Sequence, residues 1–276
     1  MLSIRTNVAS ITAQNNLSNT QASLTNTMNQ LSSGERITNA GDDAAGLGIS
    51  TNLEAQISSY AQAGRNANDG LSLVQTAEGS LTQVSSILSR MRDLAMESAS
   101  DGIGTTQRGY ITTEATSLQS ELDRLNATTE YNGNNFFTGA AALTFQVGIR
   151  GTANDAISVD MSSMSVSSTS LAVDSGSIDL STDTGAAAAL SAIDAAIDTV
   201  SGFAASLGAV GNRFQSVSNT IQSASQNLSA ADSRIRDVDV ASATSELSRS
   251  QVLSQAGIAV LAQANQQPQM ALKLLG

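Results

Sequence analysis

Apolar residues recur every seven positions along two long stretches of this chain, and this heptad spacing constrains the fold more than any other feature. In the C-terminal half, a second apolar row interleaves with the first at offsets of three and four residues, the spacing of a coiled-coil seam. The first row consists of Ile193, Val200, Leu207, Phe214, Ile221, Leu228 and Ile235. A helix from Leu190 to Val238 would be roughly 70 Å long at about 1.5 Å per residue.

The N-terminal half carries a matching pattern. An apolar row runs from Leu53 to Ala95 at intervals of seven residues, and a third helical stretch follows from Ile111 to Leu125. Two weaker seams lie outside these stretches, one from Leu17 to Leu31 and one from Val240 to Leu261. The sequence therefore predicts a mainly α fold, a long coiled-coil-like helical rod in which the long helices form a bundle.

The middle of the chain has a different pattern. Leu143–Val147 and Ile157–Met161 alternate apolar and polar residues, with glycine, asparagine and aspartate between them, and this predicts a small β-hairpin. The following segment, 162–185, is rich in Ser, Thr, Asp and Gly. It fits either short strands, at Leu171–Val173 and Ile178–Leu180, or an exposed loop.

Both ends of the chain lack charge. There is no charged residue from Thr6 to Gly34, and after Arg249 only Lys273 is charged. Soluble helices normally carry charge on their exposed face, so helices of this kind are expected to be buried against other protein. Isolated helices rich in Asn, Ser and Thr are marginal in water. We therefore expect the ends to be mobile in the monomer and ordered on assembly.

The chemistry available to the chain is narrow. It has no histidine and no cysteine, which removes the usual general base, thiol nucleophiles and most metal-ligand sets. The net charge of −11 argues against nucleic acid and anionic membrane as partners. No apolar run reaches the roughly 20 residues of a membrane span, and the N-terminus lacks the features of a cleavable signal peptide. We expect no catalytic, metal or cofactor site.

Two adjacent carboxylates stand out in the stretch NAGDDAAGLGIS, residues 39–50. A hard cation would need further oxygen donors at a defined spacing, and the neighbouring Ala, Gly and Leu supply none. An aspartate between a turn signal and an Ala-rich run is instead a preferred helix N-cap. The prediction is that Asp42 caps a helix.

Arg90 and Arg92 lie on a helix that also carries Asp93 and Glu97. On composition they form a solvated helix face with supporting charge pairs, while an interaction patch is the alternative.

Several long motifs give the chain a family resemblance. LSSGERITNAGDDAAGLGIS (31–50), QAGRNANDGLSLVQTAEGSL (62–81), LDRLNATTEYNGNNFFTG (122–139) and the C-terminal run from Ser233 to Gly276 occur in that order. The chain resembles a bacterial flagellin over about its first 140 and last 90 residues.

The resemblance implies a fold and a function. It implies paired N- and C-terminal helices in an inner core domain, 1–41 plus 237–276. An outer core domain, 42–236, would hold the helical bundle and short strands at about 143–180, without large variable outer domains. The implied function is polymerisation into the bacterial flagellar filament, a secreted, extracellular structure reached by type III export. The implied partners are copies of itself, an export chaperone at 238–276, and the filament cap and hook-junction proteins.

The resemblance also implies a receptor surface. In flagellins a Toll-like innate-immune receptor reads the outer core, and Arg90, Leu94 and Glu114 match its principal contact positions. The same surface lies within subunit contacts in the family, which is the alternative role for these residues.

Three other functions remain to be weighed. A hook–filament junction protein shares the terminal helices. An enzyme, such as a flagellin with a protease insert, would need an inserted domain that is absent. A coiled-coil adhesin would need an anchor or signal sequence, and neither is visible.

Overall fold

A computed structural model describes the backbone of residues 6–138 and 142–275, and the side chains up to residue 266. Within this part of the chain the main elements are five α-helices, so the mainly α prediction is confirmed. They are α1 Val8–Ser33, α2 Ala44–Ser98, α3 Thr105–Thr128, α4 Asp183–Arg236 and α5 Val240–Leu275. The two longest, α2 and α4, have 55 and 54 residues and carry the two heptad rows.

The chain forms two compact units. The first contains the chain up to Ile57 and again from Gln226 onward, and the second is Ser58–Ser225. Both boundaries lie inside α2 and α4, whereas the sequence-based division placed them at 41/42 and 236/237.

The heptad seam of α4 is the core of the second unit. Ile193, Val200, Leu207, Phe214 and Ile221 are buried, and the first four join buried residues of α2 and α3 in one cluster. In the first unit the same row continues as Leu228 and Ile235, which are only half-buried. By length and composition α4 would also suit a membrane span. A helix whose apolar side packs against protein passes the same test.

Two antiparallel hairpins lie between α3 and α4. The predicted hairpin is confirmed as β3 Leu143–Gln146 paired with β4 Ala156–Val159. A second hairpin joins β1 Glu130–Tyr131 to β2 Asn134–Asn135. Its turn residues Asn132 and Gly133 have φ angles of 50° and 77°, the left-handed conformation that an Asn-Gly hairpin turn requires.

Residues 162–182, here called the strap, are neither strands nor an exposed loop. The strap is irregular, but its apolar side chains Leu171, Val173, Ile178 and Leu180 are buried in the core. Three polar residues of α3 hold its backbone. Gln119 donates to the carbonyl of Val173, Asp123 accepts from the amide of Ser168, and Asn126 accepts from the amide of Val166. These bonds replace a strand ladder, which explains how a Ser-rich segment is buried.

Candidate assembly surface and ion-pair sites

The helix cap predicted at Asp42 lies one residue further along, at Asp43. Helix α2 begins at Ala44, and the Oδ1 atom of Asp43 accepts a hydrogen bond of 2.8 Å from the amide of Gly46. Asp42 holds the preceding turn instead, because its Oδ2 atom accepts from the amide of Asn39 and from the amide and hydroxyl of Thr38. The bond from Asn39, followed by those from Thr38, lowers the pKa of Asp42 below its ordinary value.

Gly46 is required by this cap. A Cβ atom there would lie 2.4 Å from the Asp43 carboxylate and 2.8 Å from a methyl group of Ile37. The small residues after Asp43 therefore make room for the cap itself and for the buried Ile37. Among the residues that the structure describes, no cluster of three or more acidic side chains is arranged to hold a metal ion.

Arg90 and Glu114 form an ion pair between α2 and α3. The Nη2 and Nε atoms of Arg90 lie 2.7 and 2.8 Å from Oε1 of Glu114, and both side chains are about half exposed. The hydrogen bond that Arg90 donates to Glu114, and then the charge of that carboxylate, raise the pKa of Arg90 above its usual value. Two of the three positions that the resemblance assigns to a receptor contact are thus side by side on an accessible surface.

Leu94 does not share that surface. Only 1% of it is exposed, and it belongs to the core cluster. Its place as an accessible contact, implied by the resemblance, is therefore wrong for the monomer. Met91, Leu94, Ala95 and Ser98 are all buried and are spaced at three, four and seven residues, the pattern of a helix stripe facing the interior. The wider buried stripe arises because α3, α4 and the strap supply side chains to the same core.

A second ion pair joins α2 to α4. The Nε atom of Arg92 lies 2.7 Å from Oδ1 of Asp194, and both side chains are about half exposed. Arg90 and Arg92 thus bind different helices. The sequence predicted charge pairs within α2, whereas the strongest partners lie far along the chain.

A cluster of charges in the first unit was not predicted. We call it the clasp: Glu35 and Arg36 after α1, Glu54 in α2, and Arg236 and Asp237 at the end of α4. Arg236 contacts both Glu35, at 3.0 Å, and Glu54. The backbone amide of Arg36 donates to the carbonyl of Arg236, and Glu35 bridges to Asp237 as in an antiparallel sheet. The clasp therefore joins the residues after α1 to those after α4.

Arg236 keeps its positive charge although its side chain is largely shielded from solvent. Burial disfavours the guanidinium charge, but the hydrogen bond and charge of Glu35, with the charges of Glu54 and Asp232, outweigh it and raise the pKa of Arg236. Its Nε–H group is buried without a hydrogen-bond partner. The sequence did contain a signal for the clasp: charged residues are grouped near Glu35 and near Arg236, in a chain with only 13% charged residues.

Helices α1 and α5 contact each other, with the leucines of the two predicted seams partly buried and several other large apolar side chains exposed. The residues buried in them are small or polar: Ser10, Ala13, Thr27, Ala243, Ser250 and Ala264. The large apolar residues that are at least half exposed are Val8, Ile11, Met28, Val240, Val252, Leu253, Ile258 and Val260. We call these eight residues the terminal apolar surface. Exposed apolar side chains in this number, on two helices with little charge, indicate association with other protein.

The class of protein follows from these observations. Long helices with heptad cores, and terminal helices that present apolar side chains with little charge, are typical of a structural protein that assembles with copies of itself.

Comparisons with known proteins identify the family. The bacterial flagellin N-terminal helical region matches residues 4–142, and the bacterial flagellin C-terminal helical region matches residues 190–275. A flagellin from Halalkalibacterium halodurans is 40% identical over 248 residues, 90% of each chain. The crystal structure of Bacillus cereus flagellin is 28% identical, with a TM-score of 0.50 over 61% of this chain and 94% of that one.

A flagellar hook-associated structure from Vibrio parahaemolyticus has a TM-score of 0.59 over 71% of this chain and all of its own, at 17% identity. At that identity the likeness shows the fold alone. The chain belongs to the bacterial flagellin family, and it is a structural subunit of the flagellar filament.

Proposed function

We propose that copies of this chain contact each other in the filament through the terminal apolar surface. The observation that carries the proposal is that the fully buried residues of α1 and α5 are small or polar, while eight large apolar residues of these helices are at least half exposed. Burying one large aliphatic side chain stabilises a complex by about 1.5–3 kcal/mol. From Thr6 to Gly34 there is no charged residue, so covering the α1 part of this surface carries no ionic desolvation cost.

A single charge tests this surface. Ile258 is 56% exposed in the subunit, so Ile258→Asp leaves the fold intact while placing a carboxylate in the proposed contact. We expect filament mass after salt-induced assembly, measured by sedimentation and electron microscopy, to fall to near zero. Ile258→Val, which keeps an aliphatic side chain, is the matched control and should assemble like the wild type. Normal filaments from the aspartate variant would disprove the proposed contact.

The same surface supports a proposal for export. α5 exposes Val252, Leu253 and Ile258 in the segment from 238 onward, where the family's export chaperone binds. A chaperone that covers these side chains would hold the subunit monomeric before its passage through the type III channel. We expect chaperone binding and polymerisation to be mutually exclusive. Simultaneous binding of the chaperone to assembled filaments with the monomer's affinity would contradict this.

Contacts with the filament cap and the hook-junction proteins are proposed on the same grounds. Both flank the filament at its ends, where the last subunits present the terminal apolar surface to a different neighbour. Ile258→Asp should therefore also weaken binding to those proteins, measured by pull-down with monomeric subunit.

A Toll-like receptor is a further proposed partner, favoured by the half-exposed pair of Arg90 and Glu114. Arginine is enriched among the residues that dominate protein interfaces. Because Leu94 is buried, the proposed contact consists of this pair without its apolar neighbour. The surface offered to a receptor is therefore less apolar than one that includes an exposed Leu94.

Arg92 supplies a matched control for the receptor contact. Arg92→Ala removes an ion pair of equal exposure from the same helix, but Arg92 is not one of the implied contact positions. Monomeric Arg90→Ala and Glu114→Ala should lose receptor activation by about tenfold or more, while Arg92→Ala retains it, with circular dichroism verifying each fold. Equal activity of all three would show that the pair serves only the packing of the subunit.

A further inference from the structure

The only proline of the chain, Pro268, lies within the range of α5. Proline inside a helix is unfavourable by about 3 kcal/mol, partly because it has no N–H to donate to the carbonyl four residues earlier. Here that carbonyl belongs to Ala264. A buried carbonyl without its helical donor needs another partner.

Asn7 supplies the missing donor from the other end of the chain. Its Nδ2 atom donates a hydrogen bond of 2.8 Å to the carbonyl oxygen of Ala264. Its Oδ1 atom accepts from the amide of Ser10 at 3.1 Å, which makes Asn7 the N-cap of α1. One side chain therefore completes two helices, capping the start of α1 and replacing the donor that Pro268 lacks in α5.

Two neighbouring contacts agree with this alignment of the helices. The hydroxyl of Ser10, a residue that is only 8% exposed, donates to Oδ1 of Asn265 at 2.8 Å. Further along, Gly257 lies against Leu17, where an added Cβ would come within 3.3 Å of a Leu17 methyl group. The eight side chains of the terminal apolar surface are at least half exposed, so within one subunit their burial does not select the alignment.

We propose that Asn7 and Pro268 form a register joint that fixes how α1 aligns with α5. Pro268 frees the Ala264 carbonyl, and the amide of Asn7 uses its oxygen to cap α1 and its nitrogen to donate to that carbonyl. Asn7 is thus a positioning residue for assembly, since the joint sets which aliphatic side chains lie side by side on the terminal apolar surface. The role of the joint in assembly rests on the proposed function, whereas the hydrogen bonds that form the joint do not.

Substitutions at position 7 separate the joint from simple capping. Asn, Asp and Ser are comparably good N-caps. Asn7→Ser retains an oxygen for the cap and loses the amide donor, whereas Asn7→Asp also places a carboxylate oxygen against the Ala264 carbonyl. If Asn7 forms the joint, the stability of the α1–α5 pair should decrease from Asn to Ser to Asp at position 7. If Asn7 is only an N-cap, the three residues should give similar stabilities.

The decisive experiment is a double-mutant cycle with Pro268→Ala, which restores an N–H to the Ala264 carbonyl. Hydrogen exchange of α1 and α5 amides would be measured in filaments, with each variant copolymerised into excess wild-type subunit. In the Pro268 background, Asn7→Ser should accelerate exchange about fivefold, the effect of one lost hydrogen bond. In the Pro268→Ala background the same substitution should change exchange by less than about twofold.

Equal acceleration in both backgrounds, or an aspartate variant as protected as wild type, would overturn the joint. The assembly proposal fails separately, through normal polymerisation of Ile258→Asp.

Discussion

At the scale of single residues, two glycines of α2 have opposite surroundings. A Cβ at Gly70 would lie 2.4–2.9 Å from the ring of Phe214, which is fully buried and packs edge-on against Phe145 at 5.5 Å. At Gly79 a Cβ would meet nothing within 4 Å. Alanine is favoured over glycine inside a helix by about 1 kcal/mol, and overpacking a core costs about 1–3 kcal/mol.

We therefore expect the two alanine substitutions to differ in sign. Gly70→Ala should lower the free energy of unfolding because the Phe214 ring cannot move aside, and Gly79→Ala should raise it by up to about 1 kcal/mol. Urea denaturation of both monomers measures the difference. Stabilisation by both substitutions would mean that the Phe214 ring is loosely packed.

The heptad row of α4 gives a second test at this scale. Ile221 is 7% exposed and its Cγ2 atom lies against Gly64, whereas Leu228 is half-buried. Ile221→Ala should cost about 2–5 kcal/mol of unfolding free energy, and Leu228→Ala clearly less. A melting temperature unchanged by the isoleucine substitution would show that the row faces solvent at that position.

Residue-level reasoning from the sequence was accurate where one local pattern decides the outcome. The heptad row identified the large buried residues of α4 from Ile193 to Ile221, because periodicity selects the inward face, but its last members Leu228 and Ile235 are only half-buried. It missed Leu94 because a third and fourth element, brought together only by the fold, widen the buried face of α2. It misplaced the cap by one residue because Asp42 and Asp43 are both suitable acceptors, and the turn at Thr38–Asn39 decides between them.

At the scale of elements, hydrogen bonds between distant residues fix the one segment whose structure the sequence left open, the strap. The hairpin of β3 and β4 was predictable from alternation, but the strap was not. Its buried apolar residues have no regular period, and Gln119, Asp123 and Asn126, which hold it, look like surface residues of α3 in the sequence. Helix α3 thus organises a segment that has no secondary structure of its own.

The clasp carries a prediction at this scale. Arg236→Gln should destabilise the first unit because Glu35 and Glu54 lose their shared partner, and hydrogen bonds to charged groups contribute about 1.5–3 kcal/mol. The control is Arg249→Gln, since Arg249 is 68% exposed and pairs with Glu246 only one helical turn away. Such surface pairs contribute little.

The unfolding transition temperature of filaments made from each variant is measured by differential scanning calorimetry. We expect a lower transition temperature for Arg236→Gln and an unchanged one for Arg249→Gln. Equal transition temperatures for the two variants would show that the clasp is a solvated charge cluster without a structural role.

At the scale of the whole molecule, the two units differ in how their described residues are stabilised. The second unit has a continuous core of large apolar side chains, including Phe136, Phe137, Leu88 and Met91. In α1 and α5 of the first unit, the buried residues are small or polar. Apolar burial is the main source of folding free energy, so α1 and α5 gain little of it within one subunit.

This difference leads to the last prediction, that α1 and α5 acquire their full stability only in the filament. Segments with few buried apolar contacts open at a small free-energy cost and exchange their amide hydrogens quickly. Covering the terminal apolar surface with neighbouring subunits would raise that cost by the burial of up to eight large side chains. Hydrogen exchange followed by mass spectrometry, on monomer and on filament, measures the change. We expect α1 and α5 to be weakly protected in the monomer and strongly protected in the filament. Helix α3, whose core residues Ile111 and Leu122 are already buried, is the internal control and should be protected in both. If α1 and α5 are as strongly protected in the monomer as α3, the pair is stable without neighbours and assembly does not order it.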